Sequence, residues 1–278
     1  MITSICCSHV LNLKGLKRFA KLSSSTSSRY EQNLNELGQE GFSVLKSVFS
    51  LSEISQMNTD YQILRKKALS IVANNSNERE RVWMENNEET RSKYWCQKNS
   101  SEEHHDIILQ AGVGRYDLWK GFHINVESKV LDDIINRLLS SHTHYSGIVL
   151  STPGSSDQYW HRDVDNLSNF GDTSGSTLMN VDDFYYTLLI PCAVDVTAIN
   201  GPTEFMVSSH RSTASEFDSL QKVQATLSVG DVLIFNGKMN HRGLGNKNEE
   251  GGEERPLVYK VYHRPWYSDN YRAGVAES

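Results

Sequence analysis

Excess positive charge is missing from this 278-residue chain: 28 lysines and arginines face 34 acidic residues, for a net charge of -6. That balance gives no sign of the basic footprint by which a domain holds nucleic acid, and none is expected as a partner. No uninterrupted apolar run approaches the roughly 18 residues that would suggest a membrane span. Cysteine is scarce. Cys6, Cys7, Cys96 and Cys192 form no CxxC and no zinc spacing. Two of them lie in an N-terminal stretch without periodic apolar content, which argues against a disulfide framework and fits a reducing compartment. The GVG of Gly112 to Gly114 lacks the rest of a nucleotide-binding fingerprint, and no internal repeat is present. What remains is the composition of an ordinary globular protein, long enough for one large domain with a substantial core.

Residues 1–30 stand apart. They carry Lys14, Lys17, Arg18, Lys21 and Arg29, much serine, and no acidic residue before Glu31. Two readings are open: an organellar transit peptide, to mitochondrion or plastid, or a disordered basic tail on a cytoplasmic protein. A secretory signal fits poorly, because His9, Asn12 and Lys14 break its apolar stretch. The terminal "AES" is not a peroxisomal address. Residues 31–278 are expected to form a single domain.

Within that domain the hydrophobic pattern changes period. "LGQEGFSVLKSVFS" reads as a helix end followed by a strand through Phe42, Val44 and Leu45. Ser50 or Ser52 can cap a helix from about Leu51 to Ala73, with Ile54, Met57, Tyr61 and Leu64 at helical spacing. Residues 74–106 are polar and charged and read as an excursion or lid. A second amphipathic helix in "SKVLDDIINRLLSSH" precedes a strand over 145–152. Strands follow in "FYYTLLIPCAV", "VQATLSVGDVLIFNG" and "RPLVYKVYHRPWY", separated by turn signals at Asn200 to Pro202 and Val229 to Asp231. Helices first and short strands later, without βαβ alternation, predict an antiparallel β-sandwich or barrel flanked by helices.

The chemistry-bearing residues sit among these strands. In "YWHRDVDNL" the residues at i and i+2 face the same way, so His161 and Asp163 share one side while Arg162 points away. His241, just past the strand in "GDVLIFNGKMNHRGLGN", can supply a third ligand. Two histidines and a carboxylate suit a non-haem Fe(II) oxygenase, and a zinc hydrolase can use the same set. Arg255, fourteen positions after His241, separates the two. It is in phase with Leu257, Tyr259 and Val261, a mostly apolar face. A guanidinium in that row needs an anionic partner, and a carboxylate met by a bidentate fork is the natural one. The far carboxylate of 2-oxoglutarate would meet that need; a zinc hydrolase has no use for it.

"QYWHRD", "LLIPCAVDVTAINGPTEFMVSSH", "GDVLIFNGKMNHRGLGN" and "RPLVYKVY" together resemble the successive motifs of the phytanoyl-CoA dioxygenase family. "LGQEGFSVLKSVFSLSEI" is similar to that family's N-terminal strand and helix. The resemblance spans about residues 36–268, is specific in the HxD, NGP and distal-histidine blocks, and is thin from 74 to 144. It implies a mainly β fold with flanking helices, the double-stranded β-helix (jelly-roll, cupin-like). It also implies Fe(II) and O2, with 2-oxoglutarate as cosubstrate. By that match His161, Asp163 and His241 are the metal ligands and catalytic centre, and Arg255 holds the cosubstrate carboxylate. Asp163 is intact, whereas family halogenases carry a small residue there, so the resemblance favours hydroxylation of a small organic substrate. The chain departs from the family where a Pro-Gly is usual before the serine and histidine after NGP: here "FMVSSH" has Met206 and Val207. An insertion, "NKNEEGGEE", also lengthens the spacing from His241 to Arg255.

Other residues receive plainer expectations. Thr187, three residues before the "IP" strand end, is a candidate to bond the cosubstrate. His210 is expected as a hydrogen-bonded structural histidine beside the site, and His104 and His105 as solvated. Arg162, Arg211 and Arg242 are expected on the surface, and Tyr159, Trp160, Tyr185 and Tyr186 in the core. Two other classes of function stay open at this level: a catalytically silent cupin-like metal-binding protein, and a cupin-type metalloenzyme without a keto acid.

Overall fold

The computed structural model describes residues 24–74, 107–110, 115–119, 126–164 and 180–267. Most of the basic segment, the polar excursion, His104, His105 and the loop after Asp163 lie outside the described residues. Helix α1 (Ser24–Glu40) begins inside the 1–30 stretch. Gly41, at φ +90°, turns the chain sharply into strand β1 (Phe42–Leu45). Helix α2 (Leu51–Asn74) opens on a reciprocal cap. The Ser50 amide and hydroxyl both donate to Glu53 Oε2 at 2.7 Å, and the Glu53 amide donates back to Ser50 Oγ at 3.4 Å. Ile54, Met57, Tyr61 and Leu64 are all buried along its inner stripe. Helix α3 (Lys129–Leu138) buries Leu131, Ile134 and Ile135. No helix among the described residues is long and apolar enough to cross a membrane.

Nine further strands follow among the described residues: β2 (Ile107–Gln110), β3 (Arg115–Trp119), β4 (Thr143–Ser151), β5 (Tyr185–Pro191), β6 (Thr203–Met206), β7 (Lys222–Ala225), β8 (Val232–Asn236), β9 (His241–Gly243) and β10 (Arg255–His263). They form a seven-stranded sheet in the order β1-β8-β5-β10-β4-β3-β2 and a three-stranded sheet in the order β7-β6-β9. Every pairing is antiparallel. The run "VQATLSVGDVLIFNG" therefore feeds both sheets, switching at Gly230–Asp231.

Strict alternation assigns the two faces of the large sheet. Leu188, Ile190, Val232, Ile234, Val258 and Tyr262 face outward into one core with α2 and α3. Leu189, Leu233, Phe235, Leu257, Tyr259 and Val261 face inward into a second core with Phe205 of the small sheet. Phe205 stacks on Phe42 at 4.7 Å and meets Phe235 edge-on at 5.2 Å. The result is a jelly roll with helices packed on the outer face of its larger sheet. Glu254, just before β10, ties α2 to this frame: Arg65 binds its carboxylate through two nitrogens and the Tyr61 hydroxyl donates to it at 3.1 Å. Just after Met206 and Val207, Ser208 takes the left-handed conformation, φ 63°, that a glycine would adopt without strain.

Asp231 fixes the switch between sheets. Its carboxylate accepts the Ser47 amide at 3.0 Å, the Ser228 amide at 3.0 Å and Lys46 Nζ at 2.8 Å. Burial acts to raise its pKa, but these donors outweigh it and hold the carboxyl below its usual value. A group depressed in the folded state contributes stability above its unfolded pKa, and that contribution is lost as pH falls through the folded value. Asp231→Asn is therefore expected to cost about 1–3 kcal/mol near neutrality. Urea unfolding should show the gap between wild type and variant closing below about pH 4; an equal gap at both pH values would contradict this account.

Candidate metal centre

The chain around His161 is joined to β9 by a two-bond bridge and by the Gln158 amide, which donates to the Gly243 carbonyl at 2.8 Å. The His161 amide donates to the His241 carbonyl, and the His241 amide to the His161 carbonyl, each at 2.9 Å. Residues exchanging both bonds stand directly opposite, so their side chains leave on the same side. The two imidazole centroids are 4.4 Å apart. Two residues on, the Asp163 amide donates to the Gly237 carbonyl at 3.0 Å, which holds the carboxylate on that same side. Ligand atoms of His161, Asp163 and His241 lie within 4.8 Å of one another. Arg162 points away, as expected, with Nη2 on the carbonyls of Ser209 and Ser212 at 3.0 and 2.9 Å.

Hydrogen bonds decide which nitrogen each ring presents. His161 Nδ1 lies 2.8 Å from the Tyr159 carbonyl and His241 Nδ1 lies 3.1 Å from the Met239 carbonyl. A carbonyl only accepts, so each Nδ1 carries a proton and each Nε2 keeps its lone pair for a metal. Burial, then the neighbouring His161, push His241 down to about 4, against the pull of Asp163, so its ring is neutral. Thr187 also reaches the donor set. Its hydroxyl donates to Asp163 Oδ2 at 2.6 Å, while Asp163 Oδ1 faces His241 Nε2 at 3.7 Å. Two imidazole nitrogens and an oriented carboxylate oxygen are the donor set of a facial metal site.

A second feature lies at the other end of β10. Arg255 and Arg115 both stand opposite Ser151 in register, one on each side of β4. They are 2% and 1% exposed. Arg255 Nε reaches the Asn200 carbonyl at 3.3 Å, and Arg115 Nη2 the Leu244 carbonyl at 2.7 Å; Arg115 Nε has no partner. Among the described residues neither forms an ion pair. Burial, then the charge of Arg115, pull Arg255 well below its ordinary pKa; burial pulls Arg115 down to about 10 although Asp157 acts to raise it. Two adjacent buried cations with no carboxylate at ion-pair distance among the described residues are costly and call for an anion.

Arg115 escaped the sequence reading. An arginine opening a strand was a signal of the same kind as Arg255, but only register brings it to the site. A Cβ on Gly243 would lie 2.9 Å from Arg115 Nη1. Gly243 is two residues past His241 on the same face of β9, about 6–7 Å along a strand. The Arg115 guanidinium therefore stands two residues along β9 from His241, on the same face.

Several plainer expectations need correction. His210 is buried, at 3% exposure, but neither ring nitrogen makes a well-formed hydrogen bond. Burial pushes it down to about 4, even though Asp183 and the Gly38 backbone favour its protonated form. Tyr185 and Tyr186 are core residues, whereas Tyr159 is 49% exposed. Trp160 is half-buried on the outside of the small sheet under Arg242, 4.7 Å from its ring. Arg242 is ion-paired with Glu204 at 2.8 Å rather than solvated, and Arg162 is half-buried; Arg211 is exposed.

A family model for phytanoyl-CoA dioxygenase (PhyH) matches residues 37–251. Among curated proteins the chain is similar to Fe(II)/2-oxoglutarate-dependent dioxygenase nvfF of Aspergillus novofumigatus (strain IBT 16806). The two are 33% identical over 106 residues, covering 37% of this chain and 33% of that protein. Dioxygenase easH of Epichloe festucae var. lolii is 31% identical over 106 residues, covering 37% of this chain and 53% of that protein. The matched stretch thus spans a third to a half of those relatives. Among solved structures, AviO1 from Streptomyces viridochromogenes Tue57 superposes with a TM-score of 0.55 at 16% identity, over 86% of this chain and 96% of that one. The non-heme alpha ketoglutarate dependent carbocyclase SnoK from nogalamycin biosynthesis gives 0.56 at 14%, over 88% and 90%. HygX from Streptomyces hygroscopicus, with nickel, 2-oxoglutarate and hygromycin B bound, gives 0.53 at 12%, over 86% and 88%. At such identities these likenesses show the shared fold.

Replacing His161 or His241 with Ala is expected to weaken Fe(II) binding severely while the fold persists, since each removes one of three donors. Thr187→Val should weaken it about 10–100-fold by freeing the Asp163 carboxylate, and Thr187→Ser should restore it. Anaerobic competition against a chromophoric chelator measures this. Undiminished affinity in Thr187→Val would show that the threonine does not orient the ligand.

Proposed function

The chain belongs to the phytanoyl-CoA dioxygenase family, and on that premise we propose that it is an Fe(II)- and 2-oxoglutarate-dependent dioxygenase that hydroxylates a small organic substrate. The observation that carries this reading is the pairing of a His161–Asp163–His241 donor set with two buried, anion-seeking arginines beside the same strand. A silent metal-binding protein, or a metalloenzyme without a keto acid, has no use for the second half of that pair.

Each residue has a distinct task. His161 and His241 would hold Fe(II) through Nε2 and Asp163 through Oδ1, with Thr187 fixing the carboxylate plane. Arg255 and Arg115 would bind the distal carboxylate of 2-oxoglutarate and orient its keto acid end toward the metal. When bound, iron, keto acid and O2 would supply the oxidising chemistry, one oxygen atom going to substrate and the other to the succinate formed with release of CO2. The chain supplies positioning and exclusion of water. Phe205 and Phe235 pack at 5.8 and 4.7 Å from the His241 ring and close its inner side. His161 and Asp163 are more open, which leaves their side for substrate. Hydroxylation is supported by the intact carboxylate ligand. Mass spectrometry of products distinguishes it, through one added oxygen, from ring closure with loss of two hydrogens.

Arg255→Lys keeps the charge but loses the planar fork. Its dissociation constant for 2-oxoglutarate is expected to rise about tenfold or more, corresponding to about 1.4 kcal/mol or above. Arg255→Ala should be worse, with Fe(II) affinity little changed in both. Anaerobic titration of the Fe(II) protein, followed by the metal-to-ligand charge-transfer band, reads this directly. Unchanged affinity in both variants would move the anchor elsewhere. Absence of succinate from wild type supplied with Fe(II), 2-oxoglutarate, O2 and a broad metabolite screen would contradict the reading itself.

A further inference from the structure

The turn Asn200–Gly201–Pro202 lies outside the metal donor set, yet its geometry reaches both arginines. Its Asn200 carbonyl accepts Arg255 Nε at 3.3 Å. The facing segment, from Leu244 to Lys247, offers the Leu244 carbonyl to Arg115 Nη2 at 2.7 Å. The two segments are laced together: the Leu244 amide donates to the Pro202 carbonyl at 2.9 Å, and the Lys247 amide to the Ile199 carbonyl at 2.8 Å. Gly201 has φ +90°, and a Cβ there would lie 2.4 Å from the Leu244 carbonyl oxygen and 3.2 Å from Gly245. Only glycine lets that oxygen stay where Arg115 uses it.

We infer that Asn200 and Gly201 are positioning residues for cosubstrate recognition: the turn and the Leu244–Lys247 segment form a backbone bracket that aims both guanidiniums at one carboxylate. The inference rests on the cosubstrate reading above. Carbonyls are suited to this work. They satisfy individual N–H groups and fix each guanidinium plane, yet carry no full charge to compete with an incoming anion. A carboxylate in their place would form a closed ion pair and occupy the fork. The direction of the Asn200 carbonyl is itself fixed by the Asn200 side chain. Oδ1 accepts the Thr197 amide at 2.8 Å and Nδ2 donates to the Asp195 carbonyl at 2.7 Å. On the far side, Asp157 Oδ1 accepts the Gly245 amide at 2.8 Å, so the bracket is held from both ends.

The test compares two keto acids that chelate iron alike but differ at the far end: 2-oxoglutarate, and pyruvate, which has no distal carboxylate. Each is titrated anaerobically into Fe(II)-loaded wild type, Gly201→Ala and Asn200→Ala, with the charge-transfer band as readout. Wild type should prefer 2-oxoglutarate strongly. Gly201→Ala is expected to raise the dissociation constant of 2-oxoglutarate about tenfold, or about 1.4 kcal/mol, while leaving that of pyruvate and the Fe(II) affinity unchanged. Asn200→Ala keeps the backbone at Gly201 unstrained and should shift in the same direction by a smaller factor, so it decides the matter if Gly201→Ala does not fold. A wild-type band that prefers 2-oxoglutarate, with no change in a folded variant or with equal weakening of both acids, overturns the bracket and leaves the proposed function standing. A wild type without such a band or preference overturns both.

Discussion

Two backbone hydrogen bonds, exchanged between His161 and His241, are the constraint on which the rest of the site depends. They set the His161 segment directly opposite His241 on β9, the edge of the small sheet, and the Gln158 amide, donating to the Gly243 carbonyl at 2.8 Å, continues the same pairing. The outward side of that junction is clamped. Arg242 lies 4.7 Å over the Trp160 ring and binds Glu204 at 2.8 Å, while Lys222 approaches the same ring at 5.6 Å. Each such contact contributes about 0.5–2 kcal/mol. Because side chains alternate along a strand, fixing Trp160 and Arg242 outward fixes His161 and His241 inward. The imidazoles then meet with their Nδ1 protons already committed to carbonyls.

Strand β9 also sets the distance between the two halves of the site. His241 leads to the metal donor set and Gly243, on the same face, leads to Arg115. The large sheet brings Arg115 and Arg255 to either side of Ser151. Burying one unpaired cation costs several kcal/mol, and burying two side by side costs more. Hydrophobic residues of similar volume would make a more stable sandwich at those positions. Their retention is physically intelligible as preorganisation for an anion, the cost being offset when a carboxylate arrives.

Much of this was legible in the sequence because period-two alternation is a local property. The inward face of β10 could be read from "RPLVYKVY", and the shared side of His161 and Asp163 from two positions of spacing. The helix from Leu51 was marked by a capping serine, Ser50 or Ser52, together with its apolar stripe. What could not be read were facts of register between distant strands. Arg115 joins Arg255 only because both β3 and β10 pair with β4. The Thr187 hydroxyl meets Asp163 only because the chain after His161 crosses over the inner face of β5. Trp160 was misjudged because an aromatic beside a site looks like core until the sheet's outer face is known to carry two cations. The left-handed conformation of Ser208, φ 63°, was likewise not legible, because serine is not a residue that marks such a turn.

The central claim is that one ligand bridges the two halves, its keto acid end at the histidines and its distal carboxylate between the arginines. The most direct measurement is a crystal structure of the anaerobic complex with Fe(II) and 2-oxoglutarate. The account predicts metal bound by His161 Nε2, Asp163 and His241 Nε2, with the distal carboxylate accepting hydrogen bonds from both Arg255 and Arg115. Metal bound elsewhere, or a cosubstrate whose distal carboxylate touches neither arginine, would contradict it.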